Sequence, residues 1–247
     1  MQRNTERLEQ AYNRVNVMPL GAGAIAGSAF SIDRHALAKE LEFREPTPNS
    51  YDATSDRDMI TEHEFICAQI MTHLSRIAED LIIWSAEGYR FFEMGDEFST
   101  GSSMMPQKKN PDSLELIRGK TARVIGNSVS GLTLLKGAPT AYVRDLQEDK
   151  YPLFDSLLQT RLSIRVLDGV FETITINKER MLQALDASLY ATDLADYLVR
   201  KGVPFRQAHS IVGSIVGEAE AAGINLDEVK LQTMQKHSEL FNRDVFE

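Results

Sequence analysis

Hydrophobic residues recur along most of this chain at spacings of three and four, the period of a helix, and few stretches alternate as a strand requires. Residues 1–16 place Leu8, Tyr12 and Val15 on one face, and Pro19 ends the pattern. Residues 33–41 make a short helix, followed by a loop holding Pro46, Pro48 and Asn49. Ser55 with Asp58 reads as a capping box ahead of Ile60, Phe65, Ile70, Met71, Leu74, Ile77, Leu81 and Trp84, which predicts one helix over 56–88. A second long pattern runs through Leu114, Ile117, Ala122, Ile125, Val129, Leu132 and Leu135. Asn110 is its expected cap, Pro111 its first position, and Gly137 with Pro139 its stop. A third spans 146–171, with a kink expected where Pro152 lacks a backbone donor. After about residue 178 the patterns shorten to 178–186, 192–201, 204–222 and 226–237, with Gly202 and Gly223 placed as helix stops.

The class this predicts is all-α. A helix of about 25 residues is near 38 Å long, too long for a small globule, so the three long patterns imply an elongated bundle. The predicted organisation is a central helical bundle over 1–175, including a polar segment at 95–112, and a small C-terminal helical domain over 176–247. The apolar positions keep no fixed heptad and occupy more than one side of each helix, which implies burial against several neighbours, other subunits among them.

Charge and composition narrow the function. The 247 residues carry a formal net charge of -9, which leaves no basic face for nucleic acid or an anionic membrane. No apolar run approaches the roughly 20 residues a membrane helix needs, and the charged start lacks the apolar core of a signal peptide. With Cys67 as the single cysteine, expected as a small buried hydrophobe, the chain suits a reducing, cytoplasmic setting. The last residues carry no stop signal and read as cut.

Candidate chemistry concentrates in two segments. Residues 101–112 place Ser102, Ser103, Lys108, Lys109 and Asn110 between a glycine turn and a helix start, where cations and the helix dipole would draw an anion. A serine there could act as a base only if positive charge stabilised its anion, and the alternative is a solvated polar loop. In residues 142–150, Gln147 and Lys150 lie three apart on one helical face with Tyr142 just before it, a set suited to gripping a carboxylate. The alternative is a helix start capped by Asp145. Arg57 is a further anion ligand candidate, and Glu115 either serves the helix dipole or orients a histidine. The five histidines show no metal-binding spacing, so no metal site is expected. Gly21, Gly23 and Gly27 lack the strand and the spacing of a phosphate loop and read as a tight turn.

The run Gly101-Ser102-Ser103-Met104-Met105-Pro106-Gln107-Lys108-Lys109-Asn110-Pro111 resembles the signature of the fumarase/aspartase superfamily. With residues 19–27, 49–58, 145–150 and 191–209, it resembles the argininosuccinate lyase family within it. The resemblance implies a homotetramer whose long helices share a central bundle, with each active site built from three subunits. It also implies β-elimination of argininosuccinate to arginine and fumarate without metal or organic cofactor. In that frame Ser102 is the base, and Lys108 and Asn110 stabilise the carbanion. Ser103, Tyr142, Gln147, Lys150 and Arg57 are ligands of the substrate, and Glu115 pairs with a catalytic histidine. The family's N-terminal region, which supplies that histidine, and its tail beyond about residue 244 have no counterpart in this sequence. The chain therefore reads as the middle and later part of a subunit, inactive alone. Two other expectations stay open: a non-catalytic, crystallin-like protein of the same family, and a sister lyase acting on adenylosuccinate or fumarate.

Overall fold

Helical periodicity becomes ten α-helices among the residues that the computed structural model describes, 1–101, 103–105 and 109–246. They fall into two units, Met1–Asn177 and Lys178–Glu247.

The first unit begins with α1 (Gln2–Val15) and a short strand β1 (Val17–Met18), which lies parallel to β2 (Glu45–Pro46). Between them, Gly21, Gly23 and Gly27 all adopt positive φ, and a Cβ on Gly23 would overlap the Gly27 carbonyl. These glycines make a tight turn, which only residues without a side chain can form. The helix α2 (Arg34–Glu40) is capped by Asp33, whose carboxylate accepts from the Ala36 amide. Pro46 and Pro48 lead into α3 (Ser50–Ser55), a helix the hydrophobic pattern did not predict, because none of its residues is buried and Asn49 sets it by capping two amides.

The bundle proper is α4 (Asp58–Ser85), α5 (Asp112–Leu135) and α6 (Lys150–Thr173). From α4, Ile66, Cys67, Ile70, Met71, Leu74, Ala78 and Leu81 face a core shared with Leu114, Ile117 and Val124 of α5 and Leu167 and Val170 of α6. Met71 is fully enclosed, so Met71→Ala would leave a cavity costing about 2–5 kcal/mol. The α5 helix approaches α4 at Gly131, where a Cβ would overlap the Glu64 carboxylate. Nearer the start of α5, the Thr121 hydroxyl donates to the Met71 carbonyl (3.1 Å), a bond between helices that satisfies a buried polar group.

The α6 helix is patterned inside out. It buries Ser156, Gln159, Thr160 and Ser163 while Tyr151, Phe154, Leu157, Leu158 and Leu162 stay exposed. On α5, Ile125, Val129 and Leu132 are exposed as well. Apolar faces on two helices thus lie outside the core of the single chain.

Three predicted boundaries are corrected. Ser55 ends α3 and donates to the Tyr51 carbonyl, so no capping box forms; the Asp56 carboxylate accepts from the Asp58 amide at the start of α4 instead. Asn110 lies in the short strand β5 (Lys109–Asn110) and does not cap α5, whose preceding residue is Pro111. Residues Arg144–Asp149 form a 3-10 segment with no side-chain cap, so Asp145 is not a cap either. The helix α6 then starts at Lys150, which puts Pro152 in the first turn, where a backbone donor has no partner in any case.

Two further pairs of short strands mount the polar segment. Here β3 (Phe92–Glu93) pairs with β6 (Thr175–Ile176), and β4 (Thr100–Gly101) pairs with β5, Thr100 opposite Asn110 and Gly101 opposite Lys109. The turn Asp96–Phe98 between β3 and β4 lies against α6: a Cβ on Gly95 would strike the Thr173 side chain, and one on Gly169 the Phe98 ring.

The second unit comprises α7 (Lys178–Gln183), α8 (Tyr190–Arg200), α9 (Phe205–Ala222) and α10 (Leu231–His237). Its core gathers Leu194, Leu198, Ala208, Val212, Ile215, Leu226, Met234 and Phe241. Gly202 and Gly223 have positive φ where α8 and α9 end. The predicted helix over 226–237 is divided into a 3-10 turn, Leu226–Glu228, and α10.

Candidate active site

The 3-10 segment before α6 is the organising element. Three residues per turn stack positions i and i+3, so Gln147 and Lys150 emerge on one side. Together with Arg57 and Tyr142 they line an open cavity of about 710 Å³, whose lining also includes Leu146, Tyr151, Phe154, Asp155 and Leu158. The Gln147 amide donates to the Tyr142 hydroxyl (2.7 Å). The phenol's own hydrogen then remains available as a donor to a ligand.

Asp149 fixes the two cations. Its carboxylate is enclosed at 1% exposure and accepts from Arg57 Nε (2.8 Å) and Lys150 Nζ (3.0 Å). Arg57 is further anchored on the Asp56 carbonyl (2.6 Å). One carboxylate shared by two cations leaves net positive charge, and the Lys150 side chain is 59% exposed at the cavity. The arrangement can bind an anion through Lys150, Arg57 and the neutral donors of Tyr142 and Gln147. Asp155, which also lines the cavity, is paired with Arg123 (Nε at 2.7 Å) and accepts a hydrogen bond from the Asn127 amide (2.8 Å). Against a burial that opposes it, bonds from Asn127 and Arg123 hold its carboxyl below the usual aspartate value.

Glu64 lies in the bundle interior with no exposure, and neither of its oxygens has a hydrogen-bond partner among the described residues. Burial, and then the negative charge of Asp149, push its carboxyl up to about 7. Neither Asp149 nor Glu64 was singled out from the sequence. The signal for Glu64 was present, since it falls on the apolar face of α4 between Ile60 and Cys67. Asp149 gave no comparable signal, because an acid next to a lysine reads as a surface pair.

Of the polar segment, Ser102 and Lys108 lie outside the described residues. Ser103 is exposed, and Asn110 is half-buried in β5. Lys109 Nζ sits 2.9 Å from Glu93 and 2.8 Å from Asp96. Asp96 first and Glu93 second raise the lysine above its ordinary pKa, and Asp96 is lowered in return. Ser113 Oγ donates to the Phe98 carbonyl (2.6 Å), fastening the start of α5 to the turn before β4.

Glu115 is exposed on the first turn of α5. No histidine meets it among the described residues. His73 bonds Asn4 (3.0 Å), His63 bonds the Met59 carbonyl on its own helix, and His237 pairs with Glu218 (2.7 Å). His209 packs on Phe205, and His35 lines a separate cavity. The described residues contain no cluster of His, Cys, Asp and Glu able to hold a metal, and no helix long and apolar enough to cross a membrane. Cys67 is a buried free thiol, its pKa raised by that burial.

Comparison with known proteins places this geometry. The model of a lyase family matches residues 1–126, and a model described as argininosuccinate lyase C-terminal matches residues 188–247. A probable argininosuccinate lyase of Schizosaccharomyces pombe is 50% identical over 240 residues, 97% of this chain and 52% of its own length. One from Herpetosiphon aurantiacus is 53% identical over 233 residues, covering 94% of this chain and 51% of the relative. One from Bacillus cereus is 49% identical over 248 residues, covering 100% and 54%. The chain therefore spans about half the length of the curated relatives it matches. Among solved structures, EDDS lyase in complex with formate superposes with a TM-score of 0.85 at 33% identity over 97% of this chain and 48% of its own. A class II fumarase from Schistosoma mansoni shares the fold with a TM-score of 0.72 at 14% identity, over 98% of this chain and 55% of its own. The chain belongs to the lyase family of the fumarase/aspartase superfamily, on the branch that holds argininosuccinate lyase.

Proposed function

We propose that this chain is the part of a carbon–nitrogen lyase that grips argininosuccinate and carries the base for its β-elimination to arginine and fumarate, in arginine biosynthesis. The observation that carries the reading is the convergence of Arg57, Tyr142, Gln147 and Lys150 on one cavity, set by the buried Asp149. A dicarboxylate needs cations and neutral donors held in advance, and this wall offers both.

In the proposed reaction Ser102 removes a proton from the substrate carbon next to a carboxylate. The electron pair spreads into that carboxylate, whose added charge Lys108 and Asn110 stabilise, with Ser103 as a further ligand. The pair then forms the carbon–carbon double bond as the carbon–nitrogen bond breaks, and the departing nitrogen takes a proton from a histidine that Glu115 orients. The reading assigns that histidine to another polypeptide segment and needs no metal or organic cofactor. It includes a homotetramer, supported by the inside-out pattern of α6 and the exposed apolar face of α5, which leave bundle surface for other subunits. The buried free thiol of Cys67 suits a cytoplasmic setting.

The test fuses this chain behind the part of the Bacillus cereus relative that it does not match and, once sedimentation shows an assembly, measures fumarate release. Release from argininosuccinate, with none from adenylosuccinate or from this chain alone, is expected. An assembled hybrid that cleaves only adenylosuccinate, or nothing, overturns the reading.

A further inference from the structure

The short strands β4 and β5 flank Ser103, β5 itself carries Asn110, and Lys109 ties this pair of strands to the rest of the unit beside the Ser113–Phe98 bond. Lys109 reaches from β5 to Glu93 (2.9 Å) and Asp96 (2.8 Å). Glu93 belongs to β3, which is held by β6; Asp96 opens the turn that Gly95 and Gly169 let lie flush on α6. On one side of the lysine is a two-residue strand, on the other a surface fixed to the bundle. The charge count is as informative as the geometry. An ammonium with two carboxylates within 3 Å has no net positive charge left to offer a substrate anion. Lys150, by contrast, shares one carboxylate with Arg57 and keeps an open face.

We propose that Lys109 is a positioning residue for the elimination: it clamps the β4–β5 stem to Glu93 and Asp96, and so fixes where Thr100, Gly101 and Asn110 are held, instead of binding the substrate. This rests on the lyase reading above. Its size is set by the exposure of the partners, since exposed ion pairs each shift an equilibrium by a factor of roughly 1.5 to 5. A cation acting directly on the transition state would be worth about 100- to 1,000-fold.

In the active hybrid, Lys109→Ala is therefore expected to lower kcat by roughly 3- to 20-fold with KM unchanged within about twofold, and Lys109→Arg to restore most of it. In a Glu93→Ala/Asp96→Ala background the same replacement should add less than about twofold, because the clamp is already gone. High salt should bring the unmodified protein toward the Lys109→Ala value. A fall of 100-fold or more, a rise confined to KM, or an undiminished effect in the double-alanine background would overturn the clamp. If the hybrid releases no fumarate, the lyase reading fails separately. The clamp is then read from amide exchange at Thr100, Gly101, Lys109 and Asn110 in this chain, which Lys109→Ala should accelerate by a similar factor and which must stay unchanged if the clamp is wrong.

Discussion

Asp149 and Glu64 show how two carboxylates in one neighbourhood acquire opposite roles. Asp149 has two cationic partners and holds them in place; Glu64 has no polar partner among the described residues and is held toward its neutral form. The pH consequence follows from the raised value. Between the ordinary glutamate value of 4.5 and about 7 the folded chain holds a proton that the unfolded chain has released, so stability falls as pH rises through that window and levels off above it. The loss is on the order of 3 kcal/mol. Urea unfolding at pH 5 and pH 8 should show this difference, and Glu64→Gln should flatten it; an equal slope in the variant would mean that other groups dominate. That Tyr142, Gln147 and Lys150 lie side by side was legible in the sequence, because their spacing puts them together, and all three line one cavity. The groups beneath them were not, since whether Asp149 is a surface acid or a buried bridge depends on Arg57, 92 residues away in sequence.

At the level of elements, the long helices were readable because each sustains a 3.6-residue period over many turns. Their starts were less so. Ser55 and Asp58 have the right types and spacing for a capping box, yet α3 claims Ser55, because Asn49 caps a separate short helix just ahead of it. The short strands were not readable at all, since two-residue pairings such as Thr100 with Asn110 have no period and are fixed by what lies under them. What lies under them here is α6. Gly169→Ala would force its new methyl against the Phe98 ring and lift the turn that leads into β4. A destabilisation of about 1–3 kcal/mol is expected, with an unchanged denaturant slope. A neutral result in urea titration would mean that the turn is not seated on α6 in solution.

Across the whole molecule, the amphipathic pattern of α6 is the feature that a single chain does not satisfy. Burying Ser156, Thr160 and Ser163 while exposing Phe154, Leu158 and Leu162 costs stability unless another surface covers the apolar face. The sequence conveyed this as apolar residues on several sides of each helix, and it conveyed the family through a motif; it could not convey which side faces inward. The same incompleteness marks the proposed site. One wall of the cavity is formed by Arg57, Tyr142, Gln147 and Lys150, while Glu115 meets no histidine among the described residues. The central claim is that this chain supplies the grip and the base while other segments complete the reaction. Its most direct measurement is Ser102→Ala in the active hybrid, with turnover and argininosuccinate affinity read side by side. Turnover abolished with binding nearly intact is the predicted result; substantial fumarate release by the variant would contradict it.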